Sequence, residues 1–532
     1  MSEPDRKLLS GNEAIACAAL DAGVALGAGY PGTPSTEILE VFSSLGGYAQ
    51  WSPNEKVALE VALGAAFAGA RAVATMKHVG LNVAADPLFT AAYTGVTGAL
   101  VVVSADDPGL ASSQNEQDNR RYAVAAGLPM LEPADSQEAY DFTAAAIEIS
   151  ERWSIPVLLR VTTRVCHSKT IVQRRTLNRP AAAPHYERDV QGRVMIPTYA
   201  RLAHRRLRAK LAAIAQWSET AELNKVYSPG SPGGELGIIT SGISTMHARE
   251  AAPAAAVLKL GMTYPLAVGK IARFARSVKR CLVIEEGDPY LAESIRAAGI
   301  AVDAQPEMYR FGELSVERVA RILANDRSAE PQPAKGKPPQ LCVGCPHRLT
   351  FETLRDLGCV VAGDIGCYTL GVLPPFEAMD TCVCMGASIS VGLGLRHVLG
   401  EEQARRVVSV IGDSTFVHSG ITGLVEMVYN PPATGHVVII LDNGTTAMTG
   451  LQEHPATGRR LDHGPAAQLS IEALAKAVGV PCVAVIDPIS QRDRLRGLLE
   501  ESLANGRLNV IIIRRPCPLA AKRIRQVQPG QS

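Results

Sequence analysis

The sequence holds 532 residues, too many for one hydrophobic core, and a prior of about 150 residues per domain predicts roughly three units. Lys and Arg total 53 against 52 Asp and Glu, a formal charge of +1, so no overall field exists to hold a polyanion, which argues against nucleic acid or an acidic membrane as partner. Apolar residues at 47%, aromatics at only 5%, and 47 glycines beside 34 prolines favour an α/β protein with many tight strand-to-helix turns.

The first ten residues carry Glu3, Asp5, Arg6 and Lys7 but no apolar leader, and no later apolar run approaches the about 20 residues that span a bilayer. A cytoplasmic protein is expected. Its eleven cysteines are then expected as metal ligands, catalysts or buried residues, because that compartment keeps thiols reduced.

Residues 11–166 alternate helix and strand. A helix over 12–25 leads into an apolar strand over 26–30, which breaks at Pro31-Gly32-Thr33-Pro34, with Ser35 placed to cap the next helix. A helix over 55–70, strands over 72–76 and 99–104, a helix over 136–152 and a strand over 156–161 complete a doubly wound parallel-sheet domain, 1–166. Residues 167–232 change character, with arginines at 174, 175, 179, 188, 193, 201, 205, 206 and 208 and a polar end at Ser228-Pro229-Gly230-Ser231-Pro232-Gly233. They read as a linker with one exposed amphipathic helix whose arginines are solvated.

A strand over 236–240, a helix over 244–259, a strand over 280–285 and a helix over 290–298 predict a smaller α/β unit, 233–328. A Pro- and Lys-rich linker, 329–340, separates it from a third unit, 341–520, and a tail, 521–532. The third unit repeats the parallel-sheet pattern, with strands over 407–411, 436–441 and 509–513 and a helix over 421–429. Two similar α/β domains flanking a smaller one suggest a cofactor held between domains.

The residues that carry chemistry stand at strand ends. Gly412-Asp413-Ser414 follows one strand directly, and Asn443 comes thirty residues after Asp413 in Leu441-Asp442-Asn443-Gly444 at the end of another. Magnesium takes oxygen ligands, usually one or two from side chains with phosphate, backbone and water completing the set, and Asp413 with Asn443 supplies that. Cys342-Val343-Gly344-Cys345 opens the third unit, Cys367 follows Gly363-Asp364-Ile365-Gly366, and Cys517 follows Arg515-Pro516 after the last strand. A CxxC pair alone fits a zinc knuckle or a redox dithiol; four thiolates also satisfy a [4Fe–4S] cluster, and spacing does not separate zinc from iron. Cys382 and Cys384 precede a Gly- and Ser-rich helix and are read as packing residues.

The Gly412-Asp413 and Asn443 pair resembles the thiamine diphosphate motif, with Ser414 in place of its second glycine. Asn54-Glu55, opening a helix followed by Gly64 and Gly69, is similar to the glutamate helix of thiamine-enzyme pyrimidine domains. The cysteine pattern, together with Gly29-Tyr30-Pro31-Gly32-Thr33-Pro34-Ser35, Asn54-Glu55-Lys56, His418-Ser419-Gly420-Ile421-Thr422-Gly423 and Thr449-Gly450-Leu451-Gln452, resembles the indolepyruvate:ferredoxin oxidoreductase alpha subunits over nearly the whole chain.

The resemblance implies two thiamine-diphosphate-binding doubly wound domains flanking a smaller transketolase-C-terminal-like α/β domain. It implies oxidative decarboxylation of an arylpyruvate with coenzyme A, giving an arylacetyl-CoA, CO₂ and two electrons that pass one at a time to a cluster. It puts Glu55, rather than Glu60, on the pyrimidine N1′ to drive proton removal from the thiazolium. Asp413, the Asn443 side chain and the carbonyl of Thr445 bind Mg²⁺, Gly366, Gly412 and Ser414 line the cofactor, and Cys342, Cys345, Cys367 and Cys517 hold one [4Fe–4S] cluster. Thr33 contacts the substrate carboxylate or keto oxygen, Arg120 offers a bidentate carboxylate partner, and His78 serves as acid/base. A small beta subunit, an acceptor protein and pairing of two alpha chains are expected. The family's C-terminal eight-cysteine ferredoxin-like segment is not in this sequence, so electrons are expected to leave the single cluster for a partner. Two other readings use the same residues: a non-oxidative thiamine decarboxylase or ligase whose cysteines hold zinc, and a silent assembly subunit.

Overall fold

The structure is a computed structural model that describes residues 6–180, 182–228, 234–331 and 339–527, with side chains to residue 522. The chain forms two compact units, Met1–Pro331 and Gln332–Ser532.

In the first unit a seven-stranded sheet runs in the order Met262–Tyr264, Met130–Leu131, Val157–Thr162, Ala99–Asp106, Arg71–Lys77, Leu26–Gly29, Ala49–Trp51, parallel except for the first pair. Ala99–Asp106 is buried along its whole length, which is why it reads as an unbroken Leu-Val-Val-Val run rather than an alternating one. Parallel strands bring their carboxyl ends to one edge. There Gly29 leads into the Tyr30–Ser35 turn, Lys77 into the helix His78–Val83, and Asp106 into the loop before the helix Arg120–Ala126.

The smaller α/β unit is real but does not stand apart. Its five-stranded sheet, ordered Asp303–Ala304, Arg280–Ile284, Leu236–Thr240, Ala256–Lys259, Lys225–Tyr227, lies in the same compact unit as the first sheet. Leu258, Leu260 and Met262 join one continuous core with Val101 and Leu158. The helix expected over 244–259 stops at Ala251. Pro253, two residues further on, has no amide to continue it, and Ala256–Lys259 instead pairs in parallel with Leu236–Thr240, Ile238 opposite Val257.

The expected linker is also more structured than predicted. Lys169–Gln173 pairs antiparallel with Arg6–Ser10, and the helix Pro197–Ser218 buries Ala203, Leu207, Leu211 and Ile214, one stripe at helical spacing. Several arginines are clamps: Arg174 pairs with Asp21 at 2.6 Å, and Arg193 donates to the carbonyls of Thr94 and Gly95 while lying over the Phe67 ring. Residues 229–233 of the polar end and 332–338 of the second expected linker lie outside the described residues.

One buried acid of this unit makes stability depend on pH. Burial pushes the Glu286 carboxyl up to about 7 from an ordinary 4.5, although the Leu314 amide donates to it. Below the unfolded value both states hold the proton; between about 4.5 and 7 the folded state keeps one that the unfolded chain has lost. Stability therefore falls as pH rises through that window. Glu286→Gln keeps an acceptor for Leu314 and is expected to gain roughly 1–3 kcal/mol above neutrality and little near pH 4.5; thermal melts across pH check this, and an equal gain at both ends would refute it.

The second unit is a six-stranded parallel sheet ordered Thr381–Cys382, Val360–Gly363, Val407–Gly412, His436–Asp442, Leu508–Arg514, Cys482–Ile486. Val437, Ile439 and Leu441 belong to one core and Val438 and Ile440 to another, the alternation of a strand covered on both faces. The Gly- and Ser-rich helix is Ala387–Val398, and it packs closely: a Cβ on Gly392 would lie 2.3 Å from Ser409 Oγ. Among the described residues no helix is long and apolar enough to cross a membrane.

Candidate active site

Four carboxyl ends of the second sheet carry the residues singled out in the sequence: Gly363 precedes Asp364, Gly412 precedes Asp413, Asp442 precedes Asn443, and Arg514 leads to Cys517. Asp413 is 2% exposed. Its Oδ1 accepts the Ser414 amide and its Oδ2 the Gly444 amide, both at 2.8 Å, and Thr446 Oγ1 donates to Ser414 Oγ at 2.9 Å. Two turns thirty residues apart in the sequence are thus joined around one carboxylate. Burial pushes that carboxyl up, but the His454 imidazole and the two amides outweigh it and hold it below the ordinary carboxylate range. A buried anion in this state calls for a cation.

Asn443 lies beside it, its Oδ1 accepting the Thr445 amide at 3.1 Å and its Nδ2 lying 3.3 Å from His347 Nε2. His454 Nε2 faces the same carboxylate, 3.3 Å from Asp413 Oδ2. Gly444 has φ +70° and open space where a Cβ would stand, so this turn can be approached closely by a ligand. A buried carboxylate, an adjacent amide oxygen and an open glycine fit a magnesium-bound diphosphate. Gly366 and Gly412 have a different local reason: a Cβ at either would strike the Tyr368 ring, at 2.3 and 2.7 Å. His347, which burial pushes down to about 4, His454 and Tyr368 were not singled out from the sequence. No local signal marks them; their roles arise from which strand ends meet.

The four cysteines are free thiols, Cys342 exposed, Cys345 and Cys367 half-buried and Cys517 buried. Burial pushes Cys367 up to about 11, and the charges of Cys345, Cys517 and Cys342 add to the rise; burial likewise raises Cys345, where Cys342 and Cys517 contribute. Among the described residues no group of three or more His, Cys, Asp or Glu side chains is assembled at metal-binding spacing. Thiolates of this number suit either zinc or an iron–sulfur cluster in the chemistry of their donors. The backbone ties this region to the magnesium turn: the Cys517 amide donates to the Asn443 carbonyl at 2.9 Å, and that of Arg515 to Asp442 at 3.0 Å.

In the first unit Glu55 opens the helix Glu55–Phe67, whose N-cap, Asn54, accepts the Val57 amide. The carboxylate side chain is buried and rests on Gly80, where a Cβ would lie 2.6 Å from Glu55 Cγ and Oε1. Gly80 is therefore what gives Glu55 its place. Gly64 of the same helix has nothing within 4 Å of a Cβ, and Gly69 sits past the helix end with φ +81°. Thr33 is half-buried in its turn, where the Gly32 carbonyl accepts both the amide and the hydroxyl of Ser35. Lys77, also unforeseen, runs along this turn and donates to the Ser112 carbonyl; burial pushes its amine down. His78 is fully buried, its Nε2 3.0 Å from the Asn115 carbonyl and its Nδ1 without a partner.

Arg120 is not presented to a ligand. It is 0% exposed and lies between Asp118 and Glu285, with its Nη2 also donating to the carbonyls of Glu286 and Asp288. The guanidinium is a clamp between the seven-stranded sheet's loop and the smaller sheet. Arg120→Gln would leave the buried Glu285 with only the Leu291 and Ala292 amides and Asp118 with only Arg160, 3.9 Å away, as cation, and is expected to cost about 3–5 kcal/mol. Denaturant melts should register this as lost stability; a stable variant with only a raised KM for a 2-oxoacid would reverse the assignment.

Comparison with known proteins gives two family models. One described as "Pyruvate flavodoxin/ferredoxin oxidoreductase, thiamine diP-bdg" matches residues 17–216, and one described as "Thiamine pyrophosphate enzyme, C-terminal TPP binding domain" matches residues 364–513. The chain is 39% identical to the indolepyruvate oxidoreductase subunit IorA of Archaeoglobus fulgidus, across 99% of this chain and 88% of that one. The same-named subunit of Methanothermobacter thermautotrophicus is 39% identical across 98% and 88%, and that of Pyrococcus abyssi 38% across 97% and 86%. Among solved structures, the 2-oxoglutarate:ferredoxin oxidoreductase from Magnetococcus marinus, with 2-oxoglutarate, coenzyme A and succinyl-CoA bound, superposes with a TM-score of 0.53 at 18% identity, covering 61% of this chain and 66% of that one. That likeness is one of fold.

Proposed function

The chain belongs to the family of the indolepyruvate oxidoreductase subunit IorA, and from that premise we propose that it oxidatively decarboxylates an arylpyruvate. Thiamine-diphosphate-dependent oxidoreduction of a 2-oxoacid comes with the family. In the proposal coenzyme A takes the acyl group, CO₂ is released, and the electrons pass to a [4Fe–4S] cluster and then to ferredoxin or another carrier.

When bound, thiamine diphosphate supplies the carbon nucleophile and the electron sink for decarboxylation. Asp413, the Asn443 side chain and the Thr445 carbonyl would hold Mg²⁺, with Gly366, Gly412 and Ser414 around the diphosphate. Glu55 would hold a hydrogen bond to the pyrimidine N1′ and favour the tautomer that removes the thiazolium proton. Thr33 would take the substrate carboxylate or keto oxygen, and the unpartnered Nδ1 of His78 would hold a proton beside it. Cys342, Cys345, Cys367 and Cys517 would bind the cluster. Arg120 keeps its structural place instead. A beta subunit as partner, pairing of two alpha chains and residence in the cytoplasm belong to the same proposal.

The observation that supports it most is the joining of the Asp413 and Asn443 turns through the Gly444 amide, because it brings together from two strand ends the residues that would hold magnesium and a diphosphate. Anaerobic purification with iron, sulfide and thiamine analysis, followed by a panel of arylpyruvates with coenzyme A and an artificial dye, tests the reading. Cofactor, iron, sulfide and CoA-dependent dye reduction are expected together; thiamine diphosphate with zinc and no sulfide would replace it with a non-oxidative decarboxylase.

A further inference from the structure

Arg120 is locked between acids, so the carboxylate of a 2-oxoacid needs another cation. The arginines near the carboxyl edge of the seven-stranded sheet are taken: Arg160 is held by Asp106 at 2.7 Å and Glu132 at 2.9 Å, and Arg164 by Glu313 at 2.6 Å. Lys77, the half-buried last residue of the strand Arg71–Lys77, makes no ion pair with a described residue. Its ammonium donates to the Ser112 carbonyl at 2.5 Å, which uses one of the N–H donors an ammonium carries and leaves the others free for a ligand. The acid whose charge reaches it, Asp107, is itself engaged. Asp107 Oδ2 accepts the Ser112 amide at 2.9 Å and the Ser113 hydroxyl, and Oδ1 accepts the Thr163 hydroxyl at 3.1 Å. Burial pushes the Lys77 amine down, and a partly desolvated ammonium without a close counter-ion gains from an incoming anion.

The position fits as well as the charge. A Cβ on Gly32 would lie 3.1 Å from Lys77 Cβ and 3.8 Å from its Cδ, so the lysine stem rests on the Pro31-Gly32-Thr33 turn. Gly29 pairs with Thr75 in the parallel ladder, and the turn and the lysine therefore leave the same edge of neighbouring strands. Three residues on, Gly80 carries the Glu55 side chain. The short stretch Lys77–Gly80 thus touches the Thr33 turn at one end and Glu55 at the other.

We propose that Lys77 binds the carboxylate of the 2-oxoacid substrate and leaves the keto oxygen to Thr33, an inference that rests on the oxidoreductase reading above. The carboxylate is the group that departs as CO₂, so its holder must let it go uncharged. An ammonium on a flexible stem makes a point contact that is easily given up, whereas an arginine fork grips both oxygens. No bond to Lys77 forms or breaks, and its protons stay on the nitrogen. The competing role is structural: Lys77 and His78 also hold the loop before Arg120, through the carbonyls of Ser112 and Asn115.

The test uses the intact, anaerobically purified enzyme and two readouts. In steady-state dye reduction with phenylpyruvate, Lys77→Met is expected to raise KM about 10–100-fold with kcat within about threefold of wild type, the mark of lost ground-state binding to a charged group. Lys77→Arg should recover most of that KM. The second readout needs no turnover. Acetylation of Lys77 in the wild type, followed by mass spectrometry, should slow severalfold under saturating phenylpropionate, which has the carboxylate but no keto group to react, and should not slow under its uncharged amide. A KM in Lys77→Met within about twofold of wild type, or equal protection by acid and amide, overturns the proposal and leaves Lys77 an anchor of the loop. Where Lys77→Met fails to fold, as its melt would show, the wild-type footprint decides alone. A wild type without arylpyruvate-dependent dye reduction overturns the oxidoreductase reading instead, and the footprint still decides whether Lys77 receives a carboxylate.

Discussion

Glu55→Gln is expected to lower turnover about 10²–10⁴-fold, the range a positioned acid/base group contributes, while leaving magnesium-dependent thiamine diphosphate binding nearly intact. The side chain sits in the first turn of its helix with Asn54 as N-cap, against the bare backbone of Gly80. Glutamine has the same shape and can keep its place there. It lacks the charge that favours the reactive tautomer, so the loss should fall on kcat. Single-turnover decarboxylation beside isothermal titration with the cofactor separates the two. A variant with wild-type turnover would remove Glu55 from the chemistry, and one that no longer binds cofactor would make it a binding residue.

Asp413→Asn should have the other large effect, on binding. The carboxylate is held ionised inside the protein by His454 and by the amides of Ser414 and Gly444, and the change removes the charge that a magnesium ion would meet. Affinity for the cofactor with magnesium is expected to fall at least about 10²-fold, because breaking one partner of a buried charge pair costs about 3–5 kcal/mol. The same number should appear as the lost rise in melting temperature on adding cofactor, since a ligand that binds only the folded state stabilises it by mass action. The apo variant should melt near the wild type, as asparagine can still accept an amide. Unchanged affinity would mean that the ion, if bound, lies elsewhere.

The strand ends were legible because parallel sheets write long apolar runs and put turn residues directly after them. Asp413 and Asn443 could be placed from that pattern and a spacing. Arg120 could not. Its role depends on Glu285, 165 residues away in the sequence, and nothing near Arg120 marks it as a clamp rather than a ligand-binding cation. The helix expected over 244–259 failed for a related reason: the apolar residues of Ala256–Lys259 suit either period in so short a run, and pairing with Leu236–Thr240 decided between them. His454 and His347 were invisible because a lone histidine carries no periodicity, and only the meeting of separate turns gives each its neighbour. Gly80 likewise looks like a weak point in a helix until Glu55 is seen against it.

The hydrogen bond from Cys517 to the Asn443 carbonyl stitches the last stretch of the second unit to the turn proposed for the vitamin's metal. Damage at either end is therefore shared. With the proposed cluster and cofactor bound, oxygen that strips iron from the sulfurs would slacken the seam at the Asn443 turn, so air-exposed preparations should shed both in step, and repair must restore the sulfur end before the vitamin is retained.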